Sequence, residues 1–189
     1  MSGHGIHVHG AHDHAVEHEA HKGGLGQQVA IFSAVLATVG AIVSFFGGDT
    51  QNKAMLYKNE AVLERAEATD QWNFYQAKSS KQNLAELGGV LATGAAADRY
   101  KSEVARYQKE KDEIMAKATE LEKRSEALEV QSEASMHVHH RWAQATTLIQ
   151  ISIALAAITL LTRSRGLQYL AYGAAAGSIG LGTLALMHI

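Results

Sequence analysis

Three stretches of this chain run without a charged side chain for the thickness of a lipid bilayer, and no other feature restricts its folding as much. Val29 to Phe46 reads VAIFSAVLATVGAIVSFF, Ala145 to Thr162 reads ATTLIQISIALAAITLLT, and Leu167 to Met187 reads LQYLAYGAAAGSIGLGTLALM. At about 1.5 Å of helical rise per residue, runs of about 18 to 21 residues cover roughly the 30 Å of hydrocarbon. Lipid offers no partner to a backbone N–H or C=O, so each run is expected to close its hydrogen bonds on itself as a helix. The competing assignment buries all three inside a water-soluble fold. A chain of 189 residues has little material to wrap three helices that are apolar on every side. A cleaved signal sequence also fits the first run poorly. It follows a histidine-rich stretch rather than a short Lys/Arg region, and it exceeds a typical signal core.

The mean hydropathy of -0.10 hides this segregation, because most of the charge lies between residues 49 and 144. Both signs mix there, as on the surface of a solvated helix. Proline is absent, which suits long uninterrupted helices. Gly88 to Asp98, GGVLATGAAAD, is rich in glycine and small residues and is expected to turn the chain. Asp49-Thr50, after Gly47-Gly48, offers capping chemistry and a second expected break. Beyond the turn, Tyr100, Tyr107, Ile114, Leu121 and Leu128 recur every seven residues. Their partner positions Val104, Lys111, Ala118 and Ser125 are mixed, which makes a half-formed coiled-coil seam.

The expected fold class is an all-α membrane protein with three transmembrane helices and a long extramembrane antiparallel helical hairpin between the first and second. Its parts are a histidine-rich tail over 1–28, a span over 29–48 and a charged helical segment over 49–144 that turns near 88–98. A second span over 145–162, a short basic loop over 163–166 and a third span over 167–187 complete it. Hairpin arms of about 36 to 45 residues would reach roughly 55 to 65 Å.

Two groups of residues suggest interfaces. Gly40, Ser44 and Gly48 follow one another at i+4 in the first run, as do Ser33, Ala37 and Ala41; Gly173 and Gly177 form a GxxxG in the third, extended by Ala176 and Gly180. Small residues let helix backbones approach closely in lipid, either inside the three-span bundle or between copies. The second group lies in Asp70 to Lys81, where Trp72 and Tyr75 share a helix face and Lys78 and Lys81 follow one and two turns on. These aromatics can pack against the returning arm, with lysine stems covering the seam. Alternatively, they form a contact surface for another subunit.

Asn52-Lys-Ala-Met55, Lys58, Asn59, Asp70-Gln-Trp72 through Tyr75-Gln-Ala-Lys78, and Lys81 together resemble a bacterial membrane family catalogued as a domain of unknown function, number forty-three thirty-seven in its series. The resemblance covers the chain from about Gln28 onward. Its tryptophan motif is specific and the remainder is layout: a tail, one span, a helical region and a terminal pair of spans. It implies an origin in a bacterial inner membrane and brings no activity with it.

Seven of the eleven histidines precede the first span: His4, His7, His9, His12, His14, His18 and His21, among Asp13, Glu17 and Glu19. Imidazole and carboxylate ligands this dense suit Zn, Ni or Cu, although the signal is compositional and a plain polar tail reads the same way. A second group, His137-x-His139-His140 beside Arg141 and Trp142, precedes the second span. His137 and His140 share a face and are candidates for a small metal or pH-sensing site between subunits, while Arg141 and Trp142 are interface anchors. Without cysteine there is no disulfide or thiolate chemistry.

Arg163 and Arg165 in the shortest loop favour a cytoplasmic N-terminus and a periplasmic hairpin. The net charge of -2 gives no reason to expect nucleic acid. No nucleophile elbow, phosphate loop or carboxylate pair is visible, and an enzyme is not expected. The leading expectation is a non-enzymatic, oligomer-forming membrane scaffold or accessory subunit, with the lipid bilayer and further copies or membrane-complex subunits as partners. Metal handling by the tail is the alternative. A stator-like ion-conducting ring is the third, and spans without an ionisable group speak against it.

Overall fold

The computed structural model describes residues 24–187. It consists of α1 over Leu25–Leu91, α2 over Ala95–Thr162 and α3 over Arg165–Leu186, with no strand among the described residues. Each helix contains a stretch long and apolar enough to cross a membrane. The described residues adopt the expected all-helical class.

The breaks are narrower than the sequence suggests. Asp49-Thr50 does not interrupt α1. The Thr50 hydroxyl donates back to the carbonyls of Phe46 and Gly47, both at 3.0 Å, so it decorates an existing turn rather than capping a new one. Within the 88–98 stretch only residues 92–94 leave the helix. Gly94 closes this break with φ +61, a left-handed conformation that glycine enters without a Cβ penalty. Gly88 stays helical and serves a different end: a Cβ there would lie 2.8 Å from the Tyr100 ring. Between α2 and α3 the link is 163–164, where Arg163 takes φ 54 and donates its N–H to the Thr159 carbonyl at 2.8 Å.

The chain divides into two compact units. The apolar unit combines residues up to Asn52 with those from Ser135 onward; the charged unit is Lys53–Ala134. The core of the apolar unit gathers Leu36 and Val43 of α1, Val138, Trp142, Ala145 and Ile149 of α2, and Ala175 and Ala185 of α3. Trp142 stacks on Phe46 with ring centroids 5.5 Å apart, and Phe32 meets Tyr172 edge-on at 4.6 Å. The charged unit buries smaller residues. Ala54, Ala61, Ala68 and Ala85 on α1 and Ala118, Leu121, Ser125 and Ser132 on α2 are its buried positions.

Candidate functional site

In the charged unit the buried rows step by seven on both helices. Ser132 Oγ donates to the Ala54 carbonyl at 2.8 Å, and Ser125 Oγ donates to the Ala61 carbonyl at 2.9 Å. A side chain as short as serine reaches another helix's backbone only where the two axes lie close, and alanine opposite it leaves that room. As numbering rises along α1 it falls along α2 through further pairs. Lys58 meets Glu129 at 2.8 Å, Lys78 meets Glu110 at 2.5 Å, and Gln82 donates to Gln108 at 3.4 Å.

The aromatic cluster read from the sequence is consumed by this seam. Trp72 Nε1 donates to Glu122 at 3.0 Å and its ring meets Tyr75 edge-on at 5.6 Å. Lys78 lies 5.5 Å from the centroid of Phe74 and 5.6 Å from that of Tyr107; Lys111 lies 5.0 Å above Tyr75. Hydrogen bonding to Lys78 holds the Glu110 carboxyl below its ordinary value, and Lys58 does the same for Glu129. Trp72, Tyr75 and Lys78 therefore serve pairing inside the unit. Lys81 stays exposed. The heptad of large residues, Tyr100 to Leu128, is mostly half-buried, whereas the positions that looked mixed include the deepest ones.

In the apolar unit the small residues divide in the same way. A Cβ on Gly40 would lie 3.1 Å from Ile149 Cγ2, and one on Gly177 would lie 3.3 Å from Leu148 Cδ1, so both glycines admit a neighbouring helix. Ser44 is exposed and Gly173 has nothing within 4 Å. Gly47, absent from the i+4 reading, is buried, with Trp142 Cβ 3.3 Å from where its own Cβ would be. The signal for it was a longer period: Gly40 and Gly47 stand seven apart, on the step that Ala54, Ala61 and Ala68 also keep.

Several polar groups within the apolar runs are satisfied internally. Ser152 Oγ donates to the Ala171 carbonyl at 2.7 Å and Thr159 Oγ1 to the Leu155 carbonyl at 2.8 Å. Gln150 is exposed on α2 and its amide has no hydrogen-bond partner among the described residues. Thr147 and Ala154, one turn to either side, are exposed with it.

His4, His7, His9, His12, His14, His18 and His21 lie outside the described residues. His137 and His140 are exposed, and His140 lines a shallow groove with Ala143, Gln144, Thr147, Leu148 and Leu181. Between them in sequence, His139 places Nδ1 2.8 Å from the Gly47 carbonyl. Among the described residues no three His, Asp or Glu side chains stand where they could hold a metal ion.

A family model described as Domain of unknown function (DUF4337) matches residues 25–188. No curated protein and no solved structure gives a significant match.

Proposed function

The chain belongs to the DUF4337 family, and from that premise, which carries no activity, we propose that it is a non-enzymatic membrane scaffold or accessory subunit that works as an oligomer. Gln150 is the observation that carries this reading. An amide facing lipid leaves two donors and an acceptor without partners, at a cost on the order of several kcal/mol. A glutamine is its own complement, since its NH2 can donate to the carbonyl of the same residue on another copy. Exposed Thr147 and Ala154 give that second backbone room to approach. The spans have surface to offer, because only 28% of each apolar window is buried within the protomer.

In this reading the three runs cross a bacterial inner membrane, Arg163 and Arg165 keep their loop and the N-terminus cytoplasmic, and Lys53–Ala134 forms an antiparallel hairpin on the periplasmic side. The test is the mass of the full-length chain in mild detergent. A multimer that shifts toward monomer with Gln150→Leu is expected; a monomeric wild-type chain contradicts the proposal. The seven histidines before the first span support a separate reading as a Zn, Ni or Cu binder. Deleting residues 2–21 would abolish submicromolar metal binding if that reading holds, and unchanged binding would end it.

A further inference from the structure

The charged unit carries a second face that no helix among the described residues covers. Three rows step by seven along α1, from Met55 to Val90, from Leu56 to Leu91 and from Asn59 to Leu87. At about 3.5 residues per turn these rows form one continuous face, opposite the row of Ala54, Ala61 and Ala68 that packs on α2. Every position on the three rows is exposed. Met55, Leu56, Val62 and Leu63 make an apolar patch at one end. Leu84, Leu87, Val90 and Leu91 make another at the far end, with Val90 82% exposed. Asp70 is the only charged residue on the rows, although α1 in this unit is otherwise rich in both signs. The outer surface of α2 is the control: its exposed large hydrophobics in this unit are Met115 and Val130, set among lysines and glutamates.

We infer that this face of α1 is a docking surface for the same face of a second copy, the two helices running parallel. The inference rests on the scaffold reading, which sets both copies in one membrane with the same polarity. The face is about 55 Å long and about 10 Å wide, so a pair covers roughly 1,100 Å², just above the 1,000 Å² or so that a specific interface needs. A face whose one charge, Asp70, lies off the central row meets its own copy with little repulsion and gives a differently charged partner almost nothing to steer by. About a two-fold axis parallel to the helices, the Met55 row lies against the Leu56 row of the other copy. Asp70 then falls beside Thr69 of the second copy, whose hydroxyl would turn from the Arg65 carbonyl to donate to it. Asn59 and Asn73 lie on the central row, where each amide meets its own copy, and buried asparagines of this kind set register in paired helices.

The chain has no cysteine, which makes single-cysteine crosslinking in membranes of the full-length protein clean. Asn59→Cys and Asn73→Cys each form disulfide dimers under mild oxidation at least about 5-fold faster than Lys117→Cys at an exposed position of α2, because only the first two bring Cα atoms within disulfide reach. Leu63→Glu with Leu84→Glu, both at exposed positions, removes the Asn73→Cys dimer while helix content by circular dichroism is unchanged. A detergent multimer in which neither central-row cysteine outpaces Lys117→Cys overturns this inference and leaves the scaffold reading standing. A monomer by mass with no crosslink overturns both. Crosslinking at residue 73 but not at 59, or to a protein of different mass, overturns the parallel self-pairing.

Discussion

The apolar unit and the charged unit close their helix seams on small residues seven apart, yet they use different residues for it. In the apolar unit the positions are Gly40 and Gly47; in the charged unit they are Ala54, Ala61 and Ala68, facing Ala118, Ser125 and Ser132. Solvent accounts for the difference. In water, burying a methyl group stabilises a seam, so alanine is better than glycine. Where lipid surrounds the helices there is no such gain between them, and closer approach of backbones is what glycine provides. The two units share a geometry and differ in its source of stability, so equivalent substitutions should not have equal effects.

The largest effect is expected where the apolar unit departs from small residues. Trp142, 4% exposed, fills the space that Gly47 and Gly182 leave beside it. Trp142→Ala should destabilise that unit by about 3–5 kcal/mol, read from denaturant unfolding in detergent. Next comes overfilling the alanine seam. Ala61 is 1% exposed and its carbonyl already receives Ser125 Oγ, so Ala61→Leu should push the two helices apart at a cost of about 1–3 kcal/mol. A loss confined to the charged unit is expected by hydrogen exchange. An equal fall in the protection of Trp142 and its neighbours would contradict that confinement.

A matched pair of hydroxyl deletions sharpens the comparison. Ser125→Ala should cost about 1 kcal/mol and Ser152→Ala about 0.6 kcal/mol, since bonds between helices in lipid are no stronger than those in water. A markedly larger loss at Ser152 would reverse the ordering. The smallest effect concerns acid. The Glu110 and Glu129 carboxyls sit below their ordinary value of 4.5 because of Lys78 and Lys58. Groups depressed by folding add stability that is present above the unfolded pKa and is lost as pH falls through the folded one. The charged unit should therefore melt earlier as pH drops below 4.5, and Glu110→Gln with Glu129→Gln should flatten that dependence. The spans contain no carboxylate and should not follow it. An undiminished slope in the double variant would assign the effect to other acids.

Hydropathy made the three helices legible, because a charge-free run of bilayer length has few alternatives, and the tryptophan motif made the family legible. The seams were not. Heptad reading looks for large apolar residues and found Tyr100 to Leu128, but the closest approach runs through Ala118, Ser125 and Ser132, whose smallness resembles indifference in a sequence. Gly88 read as turn chemistry because glycine signals a turn and a crowded helix contact alike, and only the Tyr100 ring distinguishes them. Trp72 and Tyr75 read equally as packing for the returning arm or as a contact for another subunit, and within the unit Trp72 donates to Glu122 and meets Tyr75 edge-on. The exposed rows from Met55 to Leu91 are hard to read because half their positions are polar or small and their apolar ones never run longer than two residues.

The central claim is that lipid surrounds one unit and water the other. It can be tested with a membrane-impermeant thiol reagent on single-cysteine variants in opened membrane vesicles. Ile151, Ile179 and Val130 are all exposed on the protein, at 45%, 60% and 66%. The account predicts rapid labelling of Val130→Cys and almost none of Ile151→Cys or Ile179→Cys until detergent denaturation. Equal labelling of all three in intact bilayers would contradict it.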